Sequence, residues 1–178
     1  MDIHSLLASA KEASFNPGIQ DEALVNETLR LTADEIETQT DALLAANRSD
    51  LARMNPDDPK YDRLKLTAER LQGIADDMRT VASLPSPLGR ILQHSVRPNG
   101  MELTRVSVPF GVIGIIYEAR PNVTFDVFSL CLKAGSACVL KGGSDARDSN
   151  TAAVSLIGNV LRRQGLPPHL VTLLPPDR

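Results

Sequence analysis

The sequence predicts an α/β fold in which a helical first half precedes a β-hairpin and one half of a doubly wound parallel sheet. Three observations carry that prediction. Before Pro85 the apolar residues recur at intervals of three and four, the spacing of one helix face. Asn99-Gly100 then separates two runs of β-type residues. From Gly111 onward, short apolar runs alternate with helical stretches in the order β-α-β-α-β.

Leu24, Thr28, Leu31, Leu43 and Ala46 place one long helix between Gln20 and Asn47, with Glu and Asp between them. Asn55-Pro56-Asp57-Asp58-Pro59 breaks that pattern, and Asp58-Pro59 supplies an N-cap and first residue for the next helix. Leu64, Thr67, Leu71, Ile74, Met78 and Val81 form its stripe, and Pro85 and Pro87 mark its end. Such stripes need a partner layer, or else belong to an independent helical interaction module.

Ile91 to Val96 and Met101 to Val108 flank Arg97-Pro98-Asn99-Gly100, a tight turn in which Asn and Gly both tolerate positive φ. An isolated hairpin is marginal in water. Its arms are expected to pair with another subunit, or to form a plain meander within the chain. Gly111 to Tyr117 is a continuous apolar strand of the kind buried on both faces, with close packing accounting for Gly111 and Gly114. Val123 to Ala134 is a helix ended by Gly135, and Ala137 to Leu140 is a second strand. Ser149 to Gln164 is a helix with Ala152, Leu156, Val160 and Leu161 inward, and Leu170 to Leu174 is a third strand.

With 178 residues, 42% of them hydrophobic, the chain is long enough for a well-buried core. A net charge of −3 and an aromatic content of 3% offer neither the basic field nor the stacking platforms of a nucleic-acid binder. The opening MDIHSLLASAKEAS has Asp2 and Glu12 but no basic n-region, so no signal peptide is expected. No run approaches the ~20 apolar residues of a membrane span. Two cysteines suggest no disulfide framework and fit a reducing, cytoplasmic setting. Cys131 falls in a helix and Cys138 mid-strand, both among apolar neighbours, which makes them packing residues and not nucleophiles. His4, His94 and His169 are scattered, and no Cys/His spacing suits a metal.

In open α/β sheets ligands sit beyond the carboxyl ends of the strands, which here carry Glu118 to Thr124 and Lys141-Gly142-Gly143-Ser144-Asp145. In the second loop a strand delivers a lysine into two glycines with a helix downstream. Glycines permit close backbone approach, the ammonium adds charge, and a helix N-terminus favours an anion, all of which suits the ribose or phosphate of a nucleotide. A plain Gly-Gly turn is the other reading. No G-x-x-x-x-G-K-[ST] is present, so a P-loop kinase is disfavoured. Arg120 suits a phosphate or carboxylate as a bidentate donor, or a structural ion pair with Glu118.

Several stretches together resemble the aldehyde dehydrogenase superfamily and, within it, the glutamate-5-semialdehyde dehydrogenases (gamma-glutamyl phosphate reductases). They are Val108-Pro109-Phe110-Gly111-Val112-Ile113-Gly114, Tyr117-Glu118-Ala119-Arg120-Pro121-Asn122-Val123-Thr124, Leu132-Lys133-Ala134-Gly135-Ser136 and Val139-Leu140-Lys141-Gly142-Gly143-Ser144. Gly165-Leu166-Pro167-Pro168, Asp58 to Leu64 and Arg97 to Met101 extend the likeness over the whole chain. The resemblance implies an aldehyde-dehydrogenase-like fold with a Rossmann-like half-sheet. It divides the chain into a helical part of the cofactor-binding domain (1–88), a hairpin that could serve as an oligomerisation arm (89–108) and the βαβαβ unit (109–178).

It also implies NADPH-dependent reduction of L-glutamyl 5-phosphate to L-glutamate 5-semialdehyde in proline biosynthesis. In such chemistry a cysteine thiolate displaces phosphate and hydride reduces the thioester. Lys141, Gly142, Gly143, Ser144 and Asp145 would contact NADPH/NADP. Either Asn122 or Arg120 would stand at the oxyanion position, with Arg120 otherwise on the substrate side. Homo-oligomerisation and a glutamate 5-kinase partner are further implications. The family's nucleophilic cysteine lies downstream of every residue here. The chain is thus expected to be an amino-terminal piece, inactive alone; a stand-alone nucleotide-binding or helical interaction module is the alternative.

Overall fold

Helix α1 (Ile3–Ala13), which the spacing argument does not reach, opens the fold, capped by Asp2 accepting from the Ser5 amide at 2.8 Å. The computed structural model describes residues 2–175, so residues 176–178 at the end of the βαβαβ stretch lie outside the described residues. The long helix expected between Gln20 and Asn47 is two helices, α2 (Glu22–Thr38) and α3 (Thr40–Leu51), meeting at Gln39. Gln39 leaves helical geometry there, with φ −101° and ψ 19°. Thr38 and Thr40 flank it and each turns a hydroxyl back to a carbonyl four residues earlier, Asp34 and Ile36, as Thr28 and Thr32 also do within the continuous α2. The buried stripe of α2 is Val25, Thr28, Leu29, Thr32, Ala33 and Ile36, while Leu24 and Leu31 sit at its margin.

Asp58 accepts from the Lys60 amide at 2.8 Å within a turn but does not cap a helix: the single turn α4 (Tyr61–Leu64) follows with Lys60 at its N-cap position and no side-chain cap bond. The helix proper, α5 (Ala68–Ser83), starts afresh from Thr67, whose hydroxyl accepts from the Arg70 amide. Its inner stripe is Leu71, Ile74, Ala75, Met78 and Ala82. Strands β1 (Ile91–Val96) and β2 (Glu102–Val106) form an antiparallel pair that joins no other strand among the described residues. The turn differs from the expected one. Only Gly100 has positive φ, at 83°, and its amide donates to the Arg97 carbonyl at 2.9 Å. Pro98 fixes the first turn angle and leaves Asn99 on the ordinary side of φ.

Strands β3 (Val112–Ile116), β4 (Ala137–Lys141) and β5 (Val171–Leu173) form a parallel sheet in that order. Helix α6 (Asn122–Lys133) connects β3 to β4, and α7 (Arg147–Arg163) connects β4 to β5. β4 is buried nearly throughout. β3 is an edge strand and is not buried on both faces. Ile113 and Ile115 face the core, whereas Val112 and Ile116 are exposed, Ile116 to 86%. The packing account of the two glycines fails with it. A Cβ at either would meet nothing within 4 Å, and Gly111 owes its identity to a φ of 93°.

One core holds these elements together. Val25, Leu29 and Ile36 of α2, Leu71 and Met78 of α5, Phe125 and Phe128 of α6, and Ile157 and Leu161 of α7 share it with Cys138 and Leu140 of β4. Val139 and Thr172 point to the opposite face of the sheet and are also buried; α1 lies against β4 and β5. Helices α2 and α5 are therefore the partner layer of the sheet helices and not a separate module. Lys133, 6% exposed, fastens the layers by donating to Asn26 Oδ1 at 2.5 Å and to the Ala82 carbonyl at 3.4 Å.

Candidate functional site

Parallel pairing runs β3 and β4 in the same direction, so their following loops emerge side by side. Ile116 pairs with Lys141, and the Tyr117 amide donates to the Lys141 carbonyl at 3.1 Å. Beyond that pair, a Cβ at Gly143 would lie 3.7 Å from the Glu118 backbone, which shows how closely the loops approach.

In the first loop Glu118 and Arg120 flank Ala119, which is buried between them; Arg120 is exposed. The expected ion pair between those charges is not among the described contacts; Glu118 instead faces Lys60 at 4.0 Å. Arg120 and Asn122 share a cleft of about 390 Å³ with Asp62, Arg63, Arg70 and Asp77. Asn122 opens α6, and its amide donates to Asp126 Oδ2 at 3.1 Å. Burial pushes the Asp126 carboxyl above its ordinary value, with the Asn122 amide opposing the shift. The cleft therefore presents guanidinium groups, an amide and carboxylates together.

In the second loop Lys141 is half-buried and donates to the Pro175 carbonyl. Gly142 is fixed by a neighbour: a Cβ there would collide with Asn150 Nδ2. Ser144 and Asp145 are exposed and line a second cleft, of about 480 Å³, with Asp50, Arg53, Asp58 and Arg147. Lys141 and Arg120 thus share the same end of the sheet without facing one cleft.

The helix N-terminus expected to welcome an anion already holds one. Asp50 of α3, 1% exposed, accepts from the Asp148 amide at 3.0 Å, the Ser149 amide at 2.7 Å and the Ser149 hydroxyl at 2.6 Å. Its carboxylate takes the place of a phosphate on the first turn of α7. Arg53 bonds Asp50 from the outer side and Asp148 at 2.8 Å. Beside it, Asn47 donates to the Leu64 carbonyl and to Ser149 while accepting from the Leu66 amide.

Asp50, Asn47, Thr124, Ser149 and Asn150 were not singled out by sequence reasoning, and periodicity carried a signal for some of them. Extending the inward spacing of Leu156 and Ala153 back along α7 reaches Ser149 and Asn150; extending that of Phe128 back along α6 reaches Thr124. A polar side chain at such a position needs a buried partner. Cys131 and Cys138 are both buried, and the hydrogen bond with the Cys131 thiol, together with burial, pushes the Cys138 thiol well up. Burial also raises the Tyr117 phenol. No group of three or more potential metal ligands occurs among the described residues, and no helix among them is long and apolar enough to cross a membrane.

No family model matches the chain. It is 58% identical over 178 residues to the gamma-glutamyl phosphate reductase of Bacteroides fragilis, covering all of this chain and 43% of that protein. It is 56% identical over 172 residues to that of Chlorobaculum parvum, covering 97% and 41%. Among solved structures, the gamma-glutamyl phosphate reductase of Thermotoga maritima matches with a TM-score of 0.84 at 33% identity, over 95% of this chain and 42% of that one. An acetylating aldehyde dehydrogenase from Geobacillus thermoglucosidasius shares the fold alone, with a TM-score of 0.69 at 14% identity over 96% and 35%. The chain spans about two fifths of the length of the curated relatives it matches. Over its whole length the chain is similar in sequence and in fold to the gamma-glutamyl phosphate reductases, and it fits an amino-terminal portion of them.

Proposed function

We propose that the chain forms the ribose-binding and substrate-loop part of an oxidoreductase that reduces L-glutamyl 5-phosphate to L-glutamate 5-semialdehyde with NADPH, in proline biosynthesis. The observation that carries this reading is the whole-length likeness to gamma-glutamyl phosphate reductases, with Lys141-Gly142-Gly143-Ser144 beside the Arg120 loop at the carboxyl end of the sheet. The residues fit the cofactor through their donors. Lys141 brings an ammonium and Ser144 a hydroxyl, which would hold the adenosine ribose and its 2′-phosphate, while Asp145 suits a ribose hydroxyl. The first turn of α7 adds nothing for a phosphate, because Asp50 occupies its amides. When bound, the nicotinamide would supply hydride.

Arg120 would hold the phosphate or carboxylate of the substrate. Asn122 would direct an amide N–H to developing oxyanion charge, its orientation set by Asp126. Neither Cys131 nor Cys138 is offered as the nucleophile, since both are buried in the core. The piece alone should therefore turn over no glutamyl phosphate; purified activity lost on Cys131→Ser or Cys138→Ser would overturn that. A cytoplasmic setting, homo-oligomerisation through the exposed hairpin and a glutamate 5-kinase partner belong to the same proposal.

Calorimetry with NADPH or 2′,5′-ADP tests the site. Lys141→Ala should weaken binding by about tenfold, near 1.4 kcal/mol, and binding to the parent should weaken with salt. Arg120→Ala should leave it nearly unchanged. Equal losses from the two substitutions would refute the division into cofactor and substrate sides.

A further inference from the structure

The loops after β3 and β4 rest on a buried chain of three side chains. Tyr117 Oη lies 2.7 Å from Thr124 Oγ1, and Thr124 Oγ1 donates to Asn150 Oδ1 at 3.0 Å. A threonine hydroxyl has one proton, and an amide oxygen can only accept, so the Thr124 proton goes to Asn150. Tyr117 then donates to Thr124. The chain runs in one direction, from phenol through hydroxyl to amide. Thr124 is 0% exposed and Asn150 1%, so the bond between them is shielded from water and a partner lost there is not replaced cheaply, while the Tyr117 bond is part-buried.

The far side of Asn150 meets the other loop. Its Nδ2 fills the space that a side chain at Gly142 would need. One amide side chain thus supports the backbone at 142 and holds the first turn of α6, onto which the loop bearing Arg120 and Asn122 runs. Tyr117, at the other end of the chain, is the residue with which that loop leaves β3.

We propose that Asn150 is a positioning residue, a strut that couples the Arg120–Asn122 loop to the Lys141–Ser144 loop so that neither shifts independently. Its value to catalysis rests on the reading of both loops as one site; the strut itself requires no ligand.

Hydrogen exchange on this chain tests the strut. Asn150→Ala lies on α7, yet the Arg120 and Val123 amides should exchange about tenfold faster, while those of Leu132, Leu140 and Leu161 keep their rates. Thr124→Val, on α6, should loosen the Ala146 amide in the opposite loop. Asn150→Asp retains an oxygen acceptor and should return Arg120 and Val123 to within about threefold of the parent rate. Acceleration confined to the loop on the substituted side, or spread evenly through the three core amides, overturns the proposal. Should Asn150→Ala not fold, Thr124→Val decides alone. Calorimetry with NADPH on the parent chain separates the two ideas: coupled loops without binding would sink the functional reading and keep the strut, and binding with uncoupled loops would do the reverse.

Discussion

Replacing Asp50 examines whether a carboxylate from α3 organises the start of α7. The side chain accepts three bonds from Asp148 and Ser149 and one from Arg53. Asp50→Asn keeps the shape, removes the charge and sets an amide N–H against an existing donor. Loss of an N-cap costs about 0.5–2 kcal/mol, and a hydrogen bond to a charged group is worth about 1.5–3 kcal/mol. Part of the second loss is retained by the remaining oxygen, so about 2 kcal/mol is expected. For a chain of this size that lowers the melting temperature by roughly 4–8 °C. Asp50→Ala strands all the donors and should cost about 3–5 kcal/mol, the range for breaking a buried pair. Arg53 is 48% exposed on its side chain, so Arg53→Ala should destabilise far less than Asp50→Ala. Urea denaturation with a constant m-value provides the comparison. An Asp50→Asn variant within about 0.5 kcal/mol of the parent, or an Arg53→Ala variant as destabilised as Asp50→Ala, would refute the capping argument.

Other substitutions probe the edge strand, the α6 carboxylate and the open surfaces. Gly111→Ala forces a side chain into φ of 93° and should cost about 1–2 kcal/mol, whereas Gly114→Ala enters open space and should gain up to about 1 kcal/mol; melting shifts of the same sign would contradict this. The raised Asp126 pKa means that the folded state binds this proton more tightly than the unfolded one. That favourable contribution is full below the ordinary value of 3.8 and is lost as pH rises through the folded value. Asp126→Asn should therefore stabilise at neutral pH and lose its advantage toward pH 3.8; a gain that grows in acid would oppose it. Exposed Ile91, Val96, Val108, Phe110 and Ile116, with strand edges at β3 and β5, should drive self-association, which light scattering reporting only monomer over a wide concentration range would contradict.

The order of elements after Gly111 was legible because each apolar run is bounded by turn residues and is too short for a helix. Lys141, Arg120 and Asn122 were legible as candidates because charged or amide groups follow directly on such runs. Burial of β3 was not legible. An apolar run does not say whether both faces of its strand are covered, and among the described residues Val112, Gly114 and Ile116 are exposed. The break at Gln39 was hidden for another reason: the inward apolar spacing continues across it, from Ile36 to Leu43. Asp50 was the least visible of all, since nothing local to α3 says that its carboxylate caps a helix almost a hundred residues later.

The shared core also sets a timetable for a ribosome. The inner stripe of α2 packs against α7, and α1 packs against β4 and β5, which are made far later. At ~5–20 residues per second, α2 waits roughly 5–20 s after its own synthesis before its partner emerges. Until then an amphipathic helical pair stands in water with Leu29, Ile36 and Leu71 incompletely covered. The first half of the nascent chain therefore cannot complete its packing until α7 and the sheet have been made.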